Sequence, residues 1–212
     1  MVDYNNVIGD LRTAYDGAAS GRNAAERIAW KVAERQRFLD LLEAEKAKRL
    51  LEIGAGTGQD SLFFRSNGLD VVATDLSPEH VRLCRDKGLE AHVMDFLGLN
   101  FLAASFDAVY AFNCLLHVPS ADFLAVLKRI DRVLRPSGAF FLGQYGGVER
   151  EGSMEDDRHV PPRFFRTYSD DNMRRHVSDV FDILNFTTLR IWEDPDTPGH
   201  FQSIHLRSRA RR

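Results

Sequence analysis

Apolar positions in this chain fall into short runs that alternate with amphipathic stretches. From Asn23 to about Glu45, Ile28, Val32, Phe38, Leu41 and Leu42 recur at roughly helical spacing in a stretch rich in Ala, Glu, Lys, Arg and Leu, which predicts an N-terminal helix. The apolar run RLLEI then meets a cluster of glycines. Beyond it, DSLFFRSNG reads as a helix, DVVATD as a strand, and the stretch from Pro78 to Gly88 as a further helix. Ser77 marks the start of that helix, because its hydroxyl can cap free backbone N–H groups and proline suits the first helical position. EAHVM and FDAVYAF read as strands, about Ser120 to Leu134 as a helix, RPSG as a turn, and GAFFLGQY as a strand.

Strands that take turns with helices imply a parallel sheet with crossover helices. The C-terminal stretch breaks the alternation: DILNFTTLRIWE and FQSIHLRSR are joined by the turn-rich DPDTPG, with no room for a helix, and predict an antiparallel hairpin. After Tyr145, GGVEREGSMEDDRHVPPRFF reads as a long irregular insert, either a site cover or a solvated loop. No internal repeat appears. The expected organisation is one domain over residues 1–212: an N-terminal helical cap segment (1–48), a core (49–145), an insert or lid (146–168), and a C-terminal helix and hairpin (169–212).

Length and composition narrow this only a little. A chain of 212 residues suits one core, and 44% apolar with 28% charged residues is the balance of a folded globular protein. The net charge of −3 disfavours a nucleic-acid partner. Arg207, Arg209, Arg211 and Arg212 form a basic tail, but without interleaved aromatics it reads as a solvated end, while acids gather between Glu149 and Asp157. Cys84 and Cys114 are too few for a disulfide framework, and His159, His200 and His205 lie on different elements. A reduced, cytoplasmic setting and no metal are therefore expected. The opening residues, MVDYNNVIGDLRTAYDG, hold acids and no sustained apolar run, so neither a signal peptide nor a membrane span is expected. The oligomeric state is left open.

Candidate chemistry centres on LEIGAGTGQD, Leu51 to Asp60. Gly54, Gly56 and Gly58 between a strand and a helix let backbone amides approach a ligand closely. Such spacing alone also suits dinucleotide enzymes or a purely structural turn. Glu52 discriminates, because a carboxylate at the strand end repels a pyrophosphate and attracts a cation by ~4 kcal/mol at ~4 Å before desolvation is subtracted. Asp75 closes the next apolar run at the distance expected of a ribose-binding carboxylate, or serves as a helix-start acid. Asp95 and Phe96 could hold and cover an adenine, or be a turn aspartate and a core ring.

Taken together, LEIGAGTGQDS, VVATDLSP, VMDF and FDAVYAFNCLLHV resemble successive motifs of the class I S-adenosylmethionine-dependent methyltransferases, over roughly Leu50 to Gln144. The resemblance implies an α/β, Rossmann-like, seven-stranded and mostly parallel sheet with helices on both faces and an antiparallel C-terminal hairpin. It implies S-adenosyl-L-methionine as cofactor, S-adenosyl-L-homocysteine as product, and a small-molecule acceptor methylated on oxygen, nitrogen or carbon. Carried onto this chain, Glu52, Gly54, Ala55, Gly56, Thr57 and Gly58 hold the methionine part and ribose. Asp75 with Leu76 takes the ribose hydroxyls, Asp95 with Phe96 the adenine, and Asn113 lies near the methionine part. Within the family the chain is most similar to bacterial small-molecule enzymes that keep an N-terminal helix, NCLLHVP and a PPRFF insert.

His117, just after the fourth strand, is the candidate general base, because a neutral imidazole can take an acceptor's proton. Cys114 reads as a small core residue. Tyr15, Trp30 and Tyr145 are candidates for an aromatic wall around a sulfonium or a planar acceptor, and Arg163 can fork onto an acceptor carboxylate or pair with nearby acids. Two competing functions stay open: a catalytically silent cofactor-binding protein that engages a partner, and an NAD-linked dehydrogenase.

Overall fold

The computed structural model describes residues 2–24, 27–154, 156–194 and 196–210. Arg211 and Arg212 of the basic tail lie outside the described residues, as do Glu155 of the acidic block and Pro195 of the C-terminal turn. Helices α1 (Tyr4–Ala24) and α2 (Ala29–Ala44) lead into β1 (Arg49–Ile53), α3 (Gln59–Ser66), β2 (Asp70–Asp75), α4 (Pro78–Asp86), β3 (Glu90–Val93) and β4 (Phe106–Phe112). A 3₁₀ turn at Leu115–His117, helix α5 (Ser120–Val133) and strand β5 (Leu134–Gly146) follow. The chain then forms β6 (Arg150–Ser153), β7 (Phe164–Thr167), α6 (Asp170–Ser178), β8 (Phe181–Leu189) and β9 (His200–Ser208).

Seven strands make one sheet in the order β3-β2-β1-β4-β5-β9-β8, and β6 pairs with β7 apart from it. The pairs β1 with β2, β1 with β4, β2 with β3 and β4 with β5 are parallel, while β9 runs antiparallel to both β5 and β8. Sidedness follows from strand alternation: Leu51, Ile53, Phe140 and Leu142 enter the core beneath α1, α5 and α6, and Leu50, Ala139 and Phe141 the core beneath α2 and α3. Both faces are thus covered, as parallel strands require. The strand order reverses between β1 and β4, which opens a crevice at the C-terminal ends of β1, β2 and β4. No helix among the described residues is long and apolar enough to cross a membrane.

The sequence expectations hold for the strands, the crossover helices and the C-terminal antiparallel pair. Ser77 caps α4 as expected, with its Oγ accepting from His80 N at 3.0 Å and Pro78 in the first turn. Three local expectations are corrected. The single helix from Asn23 to Glu45 is two helices, and Ile28 and Val32 of its supposed apolar stripe are exposed while Phe38 and Leu42 are buried. Helix α1 escapes a composition-based reading because its stripe, Tyr4, Val7, Leu11, Ala14 and Ala19, is thin and interrupted by glycine; packing against α4 completes it. The insert is not wholly irregular: Arg150–Ser153 pairs with Phe164–Thr167 as an antiparallel ribbon. RPSG falls within the bounds of β5, where Ser137 has φ of 63° and the register against β4 shifts between Phe106 and Ala108.

Candidate active site

The crevice is a cavity of about 820 Å³, within the size range of small-ligand sites. The glycine loop forms its floor. Gly54 has φ of 66° and lies so close to Cys114 that an added Cβ would sit 2.3 Å from the Cys114 Cβ, so only glycine fits. Gly56, with φ of 55°, has open space where a Cβ would go. This is the backbone that a ligand can approach.

Three carboxylates surround that loop. Glu52 ends β1, is buried, and accepts from Ser61 Oγ. Burial, with Asp60 next to it, raises the Glu52 carboxyl to about 8, against which the Ser61 hydrogen bond pulls it down. Asp60, in the first turn of α3, is pinned by Arg27 and by Arg35 Nη1 at 3.0 Å, two cations from the segment that precedes β1. Asp75 ends β2, and its Oδ2 accepts from Gly56 N at 2.7 Å while its Oδ1 accepts from Ser77 N at 2.9 Å. His80 Nδ1 lies 3.2 Å from the same Oδ1, so that nitrogen carries the proton; the buried Nε2 lacks a partner among the described residues.

Strand β4 delivers Asn113 and, through the 3₁₀ turn, His117. Asn113 has φ of 52° and its buried Oδ1 has no hydrogen-bond partner among the described residues, on a residue that lines the cavity. His117 sits between two partners: Nδ1 donates to the Phe164 carbonyl at 2.6 Å, and Nε2 lies 2.5 Å from Tyr15 Oη. With Nδ1 protonated, Nε2 accepts and Tyr15 donates. Tyr15 Oη also accepts from Arg163 Nη1 at 3.2 Å. Burial, helped by Arg163 and Arg22 and opposed by the Phe164 carbonyl, depresses the His117 imidazole to about 3. His117 is therefore neutral near pH 7 and orients the Tyr15 hydroxyl; it is too weak a base to deprotonate a neutral acceptor beforehand.

A histidine whose folded value lies below its unfolded value takes up a proton on unfolding, so stability falls as pH drops from about 6.5 towards 3. Between pH 6.5 and 5, His117 alone is expected to cost about 2 kcal/mol. Urea unfolding at the two pH values should show that much less acid sensitivity in His117→Gln than in the parent; equal sensitivity would contradict a buried neutral imidazole.

The sequence-predicted residues divide cleanly. Glu52, Gly54, Ala55, Gly56, Thr57, Asp75, Leu76, Phe96 and Asn113 line the cavity, as do Tyr15, His117, Tyr145 and Arg163. Gly58, Asp95 and Trp30 are not on its wall. Gly58 precedes α3 and packs on Cys84 and Leu89; Asp95 Oδ1 accepts from Leu97 N and Gly98 N, both at 2.8 Å; Trp30 packs at a tilt against Phe112 and Phe201, with ring centres 5.9 and 4.7 Å away. Arg163 pairs with Asp157 through Nε and Nη2 at 2.9 and 2.8 Å, the salt-bridge alternative, yet keeps Nη1 for Tyr15. Burial raises both thiols, Cys84 to about 12, and Cys114 Sγ donates to the Ile53 carbonyl at 3.2 Å, so Cys114 is a core residue.

Sequence reasoning missed several wall residues: Tyr4, Arg22, Arg27, Lys31, Asp60 and His80. Asp60 and His80 had a signal, because each sits in the first turn of the helix that follows a ligand-facing strand. Tyr4, Arg22, Arg27 and Lys31 had none, since only tertiary packing folds the N-terminal segment over the crevice. Among the described residues no three His, Cys, Asp or Glu side chains gather as a metal site.

Comparison with known proteins points one way. Residues 51–142 match a family model described as Methyltransferase domain. The 27-O-demethylrifamycin SV methyltransferase of Amycolatopsis mediterranei (strain S699) is 31% identical over 157 residues, covering 68% of this chain and 57% of that protein. The ubiquinone biosynthesis O-methyltransferase of Xanthomonas oryzae pv. oryzae is 40% identical over 101 residues, 44% of this chain and 41% of that protein. This chain thus spans only about half the length of these relatives. Among solved structures, the 1,6-didemethyltoxoflavin-N1-methyltransferase of Burkholderia thailandensis, with bound 1,6-didemethyltoxoflavin and S-adenosylhomocysteine, superposes with a TM-score of 0.74 at 20% identity, over 99% of this chain and 92% of that one.

Proposed function

Because this chain belongs to the class I S-adenosylmethionine-dependent methyltransferase family, we propose that it transfers a methyl group to an oxygen, nitrogen or carbon of a small-molecule acceptor. The observation that carries the reading is the glycine loop open at Gly56 between the Glu52 and Asp75 carboxylates, with the Asn113 Oδ1, unpartnered among the described residues, on the same cavity wall. These residues fit the cofactor. Glu52 and Asn113 Oδ1 suit an ammonium, Asp75 and His80 Nε2 suit ribose hydroxyls, and Phe96 with Tyr4, stacked at 5.8 Å, offers an apolar seat for adenine. Lys31 and Arg27, on the same wall, suit the methionine carboxylate.

When bound, S-adenosylmethionine supplies an electrophilic methyl carbon on a positively charged sulfur, and methyl transfer from it is an in-line displacement by the acceptor's lone pair. The chain's own residues do the rest. The α1–α2 segment and the β6–β7 ribbon contribute cavity wall that excludes water. Tyr15 Oη, with its proton fixed on His117, keeps a lone pair for an acceptor O–H or N–H, so the acceptor is positioned rather than ionised in advance. As the new bond forms and the methyl–sulfur bond breaks, the acceptor becomes strongly acidic, and its proton passes to Tyr15 Oη while the Tyr15 proton moves to His117 Nε2.

The direct test is calorimetric titration of the protein with S-adenosylhomocysteine, followed by incubation with S-adenosylmethionine and a metabolite extract. Mass spectrometry should find one component that gains a CH₂. Binding of NAD in place of S-adenosylhomocysteine would contradict the reading, and binding without transfer would favour a silent cofactor-binding protein.

Glu52 adds a pH signature. Its carboxyl holds a proton below about 8 in the empty site, and an arriving ammonium favours the ionised form, so binding releases a proton and strengthens as pH rises. Between pH 6 and 8 the affinity for S-adenosylhomocysteine should rise by up to about tenfold per pH unit. Titrations in buffers of different ionisation enthalpy check this; a heat independent of the buffer, or the same pH slope in Glu52→Gln, would refute it.

A further inference from the structure

The glycine-loop end mixes carboxylates with Arg27 and Lys31, whereas charge is of one sign at the far end of the cavity. The carboxylates on its wall, Glu52, Asp60 and Asp75, all belong to the glycine-loop end. Where the wall is built by the last turn of α1, by β6 and by the chain before β7, it presents Arg22, Arg150 and Arg163 and, among the described residues, no carboxylate. Two of these guanidiniums converge on one ring: Arg22 Cζ lies 5.3 Å and Arg163 Cζ 5.5 Å from the centre of Tyr15. Asp157 takes the Nε and Nη2 edge of Arg163 and so fixes its plane with Nη1 towards Tyr15. Arg22 has no carboxylate partner among the described residues.

The positive excess is felt by neighbours. After burial, Arg163 and then Arg22 are the largest influences that hold the His117 imidazole down, and both also act on the Tyr145 phenol. Flat rings furnish the rest of this end, with Phe165 beside His117 at 4.9 Å and Trp192 beside Tyr145 at 5.9 Å, all of them on the wall. A cavity that pairs aromatic walls with a fixed guanidinium and a second one that lacks a carboxylate partner among the described residues suits a planar ligand that carries negative charge.

We propose that the methyl acceptor is a planar aromatic or heteroaromatic carboxylate, its anionic group received by Arg22 and the Nη1 edge of Arg163 and its nucleophilic atom turned towards the glycine-loop end. The proposal rests on the methyltransferase reading and narrows it to a substrate class. Charge-assisted hydrogen bonds at this end select the acid over an isosteric neutral compound, while the rings accept either.

Two matched probes separate these contributions. The protein is first titrated with S-adenosylhomocysteine, then, saturated with it, with 3-hydroxy-2-naphthoate, whose hydroxyl and carboxylate are adjacent, and with the corresponding amide. The acid is expected to bind about tenfold more tightly than the amide, a preference that shrinks with added salt. Arg22→Gln should cut the preference about fivefold while Arg22→Lys keeps most of it, with thermal melts confirming that both variants fold. Equal binding of acid and amide, binding of neither, or a preference untouched by Arg22→Gln would overturn the acceptor class and leave the methyltransferase reading standing. Failure of S-adenosylhomocysteine to bind in the first titration would sink that reading itself.

Discussion

Replacing Asp75 with alanine is expected to weaken S-adenosylhomocysteine binding by about a hundredfold or more. A carboxylate that accepts two ribose hydroxyls contributes on the order of 1.5–3 kcal/mol per charge-assisted hydrogen bond, and both are lost together. The same side chain also shapes the site before any ligand arrives, because it accepts from Gly56 N, Ser77 N and His80 Nδ1. Its removal therefore frees the loop between β1 and α3 as well as deleting the ligand contact. Asp75→Asn, which keeps one acceptor oxygen and loses the charge, should fall between the two. Calorimetry on the folded variants decides the matter: an affinity within threefold of the parent would mean that the ribose lies elsewhere.

Gly54→Ala is expected to be the most damaging single-methyl change in the loop, with a loss of about 2–5 kcal/mol of stability and a loss of cofactor binding. Two costs add: a left-handed backbone for a residue with a Cβ, about 1–2 kcal/mol, and overpacking, about 1–3 kcal/mol. The second arises because the new methyl would lie 2.3 Å from the Cys114 Cβ and 2.9 Å from its Sγ. Cys114→Ala retains the offending Cβ and should not rescue the variant, whereas Cys114→Gly should rescue part of the loss. Gly56→Ala makes the contrast. Its φ is also positive, but nothing lies within 4 Å of the new methyl, so stability should fall by only about 1 kcal/mol while binding suffers as the cradle fills. Urea unfolding of the variants would measure the difference, and equal losses for Gly54→Ala and Gly56→Ala would contradict this account of the loop.

The candidate site was half legible in the sequence, and the half is a physical category. Glu52, the loop glycines and Asp75 stand at the ends of strands, where chain direction and the alternation of side chains already fix which way a residue faces. Their neighbours Leu76, Phe96 and Asn113 follow for the same reason. Asp95 illustrates the limit: residue type and spacing place an acid after β3, but the local turn takes its Oδ1 for the backbone of residues 97 and 98, and spacing carries no information about that competition. Residue type and place single out His117, whereas the partners that occupy its two nitrogens, Phe164 and Tyr15, come from elements distant in the chain.

By itself the sequence determined the strand and helix order, the parallel core, the antiparallel end and the acid-and-glycine cradle, because each depends on periodicity, turn chemistry or residues adjacent in the chain. Only the tertiary structure decided the side of the cavity that α1 and the chain from β6 to β7 build. There Tyr15, His117 and Arg163 meet across separations of 102 and 148 residues, and Arg27 and Arg35 reach Asp60 across 33 and 25. Such contacts arise from helices packing on a finished sheet. No local pattern of polar and apolar residues encodes which cation will find which carboxylate, and it is those pairings that set the charge at each end of the cavity.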